Sequence, residues 1–263
     1  METALTRKIG LLIEYDGTDF FGWQRQPNVR TVQQTLEEAL GDLTGETIRL
    51  IAAGRTDTGV HARGQIAAFV TARQWPAEVF QNALRPRLPR DVGVLAAWAA
   101  AADFNPRGDA IRRTYSYRLW NRRVGPVIDR NQWAHYSMPL DFDRICEASR
   151  RLVGDHDFRG FRSAQCRAKR TRLTVERLDW RETAPGLWIM EIASRSFLHH
   201  MVRTIVGTLI EIGRGAMAPD VIAHILETGD RALAGPPAAP EGLALETVEY
   251  PDKCFSPCHR RGR

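Results

Sequence analysis

The sequence predicts an α+β protein whose sheet is largely antiparallel and flanked by helices. Strand-like and helix-like segments mix along the chain without strict alternation, and several strand-like segments are joined by short turns. The two halves also run through a comparable order of elements. That order suggests two related lobes, residues 1–105 and 106–263, sharing one sheet with a cleft between them. The boundary is expected within Phe104 to Asp109.

Each element follows from local pattern. Lys8 to Tyr15 alternates as a strand that Asp16-Gly17 ends. Thr31 can cap a helix and Gln34 completes a capping box, with Val32, Leu36, Leu40 and Leu43 as the buried stripe. Thr47 to Ala53 and Gln65 to Thr71 read as strands on either side of the glycine-punctuated segment Gly54 to Gly64. Pro76 begins a short helix ending near Leu84, and Val92 to Ala101 returns as strand. In the second half, Arg112 to Trp120 is a strand, and Asp141 caps a helix that reaches Leu152. Thr171 to Trp180 and Leu187 to Ala193 read as a hairpin. Ser196 to Gly213 reads as one long amphipathic helix, Pro219 to Leu226 as a short one, and Leu243 to Tyr250 as the last strand.

With 263 residues, 43% hydrophobic and 26% charged, the chain has the composition of an ordinary globular protein. Its longest apolar stretch, Val92 to Ala102, lies between Asp91 and Asp103 and is about half a membrane helix. Met1 to Lys8 lacks the apolar core of a signal peptide, so a cytoplasmic location is expected. Cys254, Cys258 and His259 invite a zinc reading, but no second ligand pair accompanies them and no metal is expected. The net charge is +6, carried almost wholly by arginine, and the pI is near 9.5. This favours a polyanionic partner, and arginine forks phosphates and stacks on bases better than lysine does. A GC-rich gene also produces arginine, so charge alone does not decide.

Four runs carry chemistry. The first, Ala53 to Gln65, links two strands and holds Asp57 as its only carboxylate, flanked by Arg55 and Arg63. A guanidinium beside a carboxylate favours the ionised form, which can act as nucleophile or base. Asp-Thr-Gly is also ordinary turn chemistry. It is the aspartic-protease triplet as well, but that reaction needs two carboxylates sharing a proton in an apolar site, and the neighbours here are basic. The second run, Arg107 to Arg123, interleaves Arg107, Arg112, Arg113, Arg118, Arg122 and Arg123 with Tyr115, Tyr117 and Trp120. It suits a base-stacking platform or a half-buried strand equally well. The third, Arg159 to Arg172, has six basic residues (among them Arg162, Arg167 and Lys169) and no acidic one, which suits phosphate contacts or a solvated loop. The fourth is Arg195 to Arg203. Its adjacent His199 and His200 would point about a hundred degrees apart on a helix and so would not chelate one metal. Arg203 stands among Met201, Val202, Ile205, Val206 and Leu209, where an arginine calls for a carboxylate partner, and Asp57 is the candidate.

These residues resemble the tRNA pseudouridine synthase A family. Gly54-Arg55-Thr56-Asp57-Thr58-Gly59-Val60-His61-Ala62 is similar to its active-site motif. Tyr15 to Gln24, Phe104 to Arg107, Arg113 to Tyr117, His156 to Phe158 with Phe161-Arg162, Ser196 to Arg203, and Gly242 to Leu245 with Glu249 to Pro251 continue the likeness in order. The resemblance implies a pseudouridine synthase-like fold and a homodimer whose basic clefts hold tRNA. It implies modification of uridines on the 3′ side of the anticodon stem-loop, family target positions 38–40. It implies Asp57 as the catalytic carboxylate, Arg203 as the residue that orients it and keeps it ionised, and Tyr115 as the ring that stacks on the target uracil. Arg55 would help to move the base and Leu243 would line the pocket, with His61, Arg107, Arg113, Arg162, Arg167 and Lys169 as further substrate contacts. The reaction is redox-neutral, so no cofactor is expected. Thr58 stands where the family usually has alanine, Gly108 where it often has an aromatic, and Arg63 where it varies. A non-catalytic RNA-binding protein would account for the arginine and aromatic runs but not for Asp57.

Overall fold

The structure, a computed structural model, describes residues 5–251. Cys254, Cys258 and His259 lie outside the described residues. The chain forms two compact units, one from the residues up to Ile111 together with those from Leu245 on, the other from Arg112 to Ala244. No helix among the described residues is long and apolar enough to cross a membrane.

Unit 1 contains β1 (Arg7–Tyr15), α1 (Val32–Thr44), β2 (Ile51–Ala52), β3 (His61–Thr71), α2 (Ala77–Leu84), β4 (Val92–Ala100) and most of β10 (Leu243–Glu249). Its strand order is β4-β1-β3-β10, with β2 on β3; the β1–β3, β1–β4 and β2–β3 pairs are antiparallel. Ile9, Leu11 and Ile13 are fully buried on one face of β1, as a period of two requires. Val32, Leu36 and Leu40 form the buried stripe of α1, while Leu43 is only half-buried. Thr31 caps α1 by accepting from Gln34 N at 3.4 Å. The expected capping box does not close, because the Gln34 side chain reaches forward to Glu38 at 2.8 Å.

The strand expected over Thr47 to Ala53 shrinks to Ile51–Ala52. Glu37, buried on α1, takes the main-chain N–H of Leu50 at 3.0 Å and so removes it from any ladder. The same carboxylate accepts from Gln33 at 2.9 Å, Arg25 at 3.2 Å and Arg49 at 3.0 Å. It ties α1 to the segments before and after it.

Unit 2 contains β5 (Arg112–Trp120), β6 (Ala134–His135), α3 (Phe142–Arg150), β7 (Gly154–Asp157), β8 (Arg172–Ala184), β9 (Leu187–Ser194), α4 (Met201–Gly213) and α5 (Val221–Thr228). The order β5-β9-β8-β7 is antiparallel throughout, and β6 adds to β5 in parallel. Asp141 caps α3 by accepting from Arg144 N at 3.1 Å. On α4, Ile205, Val206, Leu209 and Ile212 are fully buried, so this helix is the core of the unit.

The helix expected from Ser196 begins instead at Met201. His200 adopts the left-handed conformation (φ 62°), which a helix interior excludes, and the His199 carbonyl accepts from Ser163 N at 2.9 Å. The short strands β6 and β7 escape a period-two reading because two and four residues carry too little alternation. Both units are α+β with mainly antiparallel strands, as the sequence predicts.

Glu37→Ala is expected to destabilise the protein by about 2 kcal/mol in urea unfolding, less than a wholly buried pair would cost because Arg25 and Arg49 reach solvent.

Candidate active site

The site in unit 1 is built on the turn that carries Asp57. The turn closes through the main chain, with Val60 N donating to Asp57 O at 3.1 Å, and Gly59 takes positive φ (77°). The segment after β1 holds it from one side. Trp23 N donates to Thr56 O at 3.1 Å, Gly59 N donates to Phe20 O at 3.3 Å, and the Tyr15 hydroxyl and Thr56 Oγ1 share a hydrogen bond of 2.7 Å. From β3, Gln65 Nε2 donates to Gly54 O at 2.8 Å. Gly22 permits this closeness: its φ is 79°, and a Cβ there would stand 2.6 Å from Thr56 O. The outcome is a rigid backbone with Asp57 half-exposed between the buried Thr56 and the exposed Thr58. A carboxylate so held keeps its direction without depending on its own side chain to make the turn.

The neighbours of Asp57 in sequence have separate duties. Arg55 is exposed. Arg63 forms an ion pair with Glu246 at 2.7 Å, which engages one of the two arginines expected to flank the carboxylate. His61 is buried, and its Nδ1 accepts from Gly17 N at 3.0 Å with Asp16 Oδ1 3.1 Å away. It holds the turn that ends β1. Arg107 is exposed in a loop fixed by Asn105, whose side chain accepts from Arg107 N and Gly108 N at 3.1 Å each. The adjoining Phe104 and Tyr250 rings pack edge to face at 5.2 Å, and the Tyr250 hydroxyl donates to Pro106 O at 2.6 Å. Two segments far apart in sequence thus meet in the core that also buries Ala53, the residue leading into the Asp57 loop.

In unit 2, Tyr115 on β5 is 8% exposed, with its ring edge to face against Phe197 at 5.1 Å. Tyr117 belongs to no stacking platform: it is fully buried, and its hydroxyl donates to Ala239 O at 3.0 Å. Burial, aided by the charge of Glu241 and opposed by Arg203, pushes that hydroxyl well above the usual tyrosine range. Trp120 is engaged by Trp133 edge to face at 5.9 Å and by the Arg122 guanidinium at 4.9 Å. Arg113 is buried and donates to the Arg195 carbonyl, a structural use its sequence does not disclose.

Arg203 is half-exposed on α4, and its Nε donates to Ala238 O at 2.8 Å. Since His199 and His200 precede the helix, helical spacing does not govern them, and their rings lie 4.1 Å apart. Leu243 is buried at the start of β10. Arg162 donates weakly to Ala168 O at 3.4 Å, bracing a loop on which Arg167 and Lys169 are exposed. Sequence reasoning missed Thr56, Gly22 and Gln65 as supports of the loop and Tyr117 as a buried donor. The available signal was a polar residue next to an apolar run in a strand, which Gln65 presents before Ile66, Ala67 and Ala68.

A family model described as tRNA pseudouridine synthase matches residues 11–107 and 148–251. The chain is 43% identical over 243 residues to the tRNA pseudouridine synthase A of Sinorhizobium medicae (strain WSM419), covering 91% of this chain and 98% of that protein. It is 41% identical to the protein of that name from Geotalea uraniireducens (strain Rf4), over 93% and 100% of the two chains. For the one from Salmonella arizonae the figures are 39%, 94% and 91%.

The first matched stretch contains both Gly22 and Asp57. Gly22→Ala forces a side chain into the left-handed region and against Thr56 O. It is expected to lower stability by about 2 kcal/mol in denaturant titration and to reduce catalysis with it.

Proposed function

The chain belongs to the tRNA pseudouridine synthase family, and we propose that it acts on the 3′ side of the anticodon stem-loop with Asp57 as its catalytic carboxylate. The observation that carries the assignment of Asp57 is its presentation, half-exposed on a turn whose backbone is held by Tyr15, Trp23 and Gln65. Such preorganisation supports chemistry at a fixed sugar carbon, because an aimed group avoids reorganisation during reaction.

In the reaction the N1–C1′ bond of uridine breaks, the uracil turns, and a C5–C1′ bond forms. N1 gains a proton and C5 loses its hydrogen to water, so the balance needs no oxidant or reductant. Asp57 starts this either by attack on C1′ or by taking the C2′ proton. By the family resemblance, Arg203 is assigned to orient the carboxylate and Tyr115 to stack on the uracil while it is detached. The edge-to-face contact with Phe197 supports that assignment, since it fixes the plane of the tyrosine ring. The target must leave its stack, at a cost of a few kcal/mol that stacking and phosphate contacts offset. Arg55, Arg107, Arg162, Arg167 and Lys169 are proposed for the contacts, with Leu243 lining the pocket. His61 and Arg113 are proposed as indirect contributors, given their burial.

A tRNA transcript tritiated at uracil C5 tests the reading. The protein is expected to release tritium to water. Asp57→Asn is expected to slow release by on the order of a thousandfold while tRNA affinity stays within about threefold. Tight binding with no release by the unsubstituted protein would favour the non-catalytic RNA-binding reading. A homodimer is also proposed, on the resemblance, and a monomeric mass by light scattering at micromolar concentration would overturn it.

A further inference from the structure

Residues 234–239 cross α4 as a strap and meet it at points about one helical turn apart. Gly235 N donates to Thr208 Oγ1 at 2.9 Å. At Gly207 the backbones approach so closely that a Cβ would stand 1.7 Å from Pro236 O. Ala238 N donates to the Arg203 carbonyl at 2.8 Å, and Arg203 Nε donates back to Ala238 O at 2.8 Å. The next strap residue is held from β5, where the Tyr117 hydroxyl donates to Ala239 O at 3.0 Å. That hydroxyl is buried and stays protonated over any working pH.

We infer that Tyr117 is a positioning residue for the catalytic arginine, acting through Ala239 and Ala238 on the plane of the Arg203 guanidinium. The inference rests on the reading of Arg203 given above. An arginine side chain has many rotamers, and its planar fork is useful only in one orientation. The bond from Nε to a main-chain oxygen sets that plane, because Nε and the rest of the fork are coplanar. The position of Ala238 O is therefore a fixed point from which the fork is oriented. Two features fix Ala238 O: the glycine contact at Gly207 keeps the strap close to the helix, and Tyr117 holds the residue that follows. Tyr117, fully buried, does this without meeting the substrate.

The experiment is a double-mutant cycle read by tritium release from tRNA. Tyr117→Phe keeps the ring and removes only the donor. It is expected to lower kcat about tenfold with the KM for tRNA unchanged, whereas a general loosening of the fold would raise KM as well. Arg203→Lys places a methylene where Nε stood, so in that background the same substitution is expected to cost less than about twofold. Single-turnover rates make the comparison if the lysine variant is slow. Gly207→Ala, which must displace Pro236, is expected to repeat the pattern, and thermal unfolding verifies that each variant is folded. Unchanged kcat in Tyr117→Phe, or an equal loss in both backgrounds, overturns the inference. If the unsubstituted protein releases no tritium, the functional reading itself fails and takes this inference with it. If it does and Arg203→Lys behaves like the unsubstituted protein, only the role of Arg203 and its positioning fails.

Discussion

In unit 1 the close approach of Gly22 to the Thr56 carbonyl is the contact from which the remaining local geometry follows. The 2.6 Å that a Cβ would have to occupy leaves room for glycine alone, and the same residue needs a positive φ. With that approach made, Trp23 N can reach Thr56 O, and the Tyr15 hydroxyl can reach the Thr56 side chain from the end of β1. The segment then feeds α1 directly, since Val32 N donates to Gly22 O and Gln33 N to Trp23 O. One short stretch thus closes the Asp57 loop and also satisfies two of the N–H groups that a helix start leaves without partners. Loosening either would loosen both, and for that reason the loop gains stiffness from a helix it does not itself touch in sequence.

Unit 2 meets a different constraint. Its central helix α4 is apolar on nearly every side, and burying such a helix costs less when its few polar groups are satisfied. Thr208 is satisfied within the helix and by Gly235 N, and Arg203 by the strap, whereas the buried Thr204 hydroxyl has no hydrogen-bond partner among the described residues. A half-exposed arginine could have been left to solvent at little cost. Securing it by its own carbonyl and its own Nε to the same alanine orders a flexible side chain, an entropy cost that these hydrogen bonds must offset.

The parts of this fold that were legible in the sequence are those decided by nearest neighbours. The alternation of Ile9, Leu11 and Ile13, the Thr31 and Asp141 caps, and the Leu187 hairpin strand are all local, and all form as read. Two of the failures share a cause, a partner distant in sequence. Leu50 gives its N–H to Glu37, thirteen residues away, and a strand is lost. Ser163, thirty-six residues before it, holds the His199 carbonyl just where a helix was expected to start. Tyr117 and Arg113 carry the composition of a nucleic-acid surface but are used inside the unit, since both lie on the buried face of β5. In the candidate site, Asp57 could be named from its run, whereas its supports Thr56, Gly22 and Gln65 are visible only once the chain has folded back on itself.

That asymmetry bears on how the chemistry is built. A carboxylate that must act at one sugar carbon needs direction more than it needs an unusual proton affinity. Direction comes from main-chain hydrogen bonds, which side-chain identity scarcely records. Affinity for a polyanion is the opposite case: it is additive, screened by salt, and indifferent to the exact placement of each arginine. On the proposed reading, Arg167 and Lys169 can therefore stand exposed on a loop. Asp57 sits instead on a turn whose neighbours leave the backbone little freedom to move. A sequence advertises the first kind of requirement through composition and conceals the second in packing, so the charge was readable before the aim was.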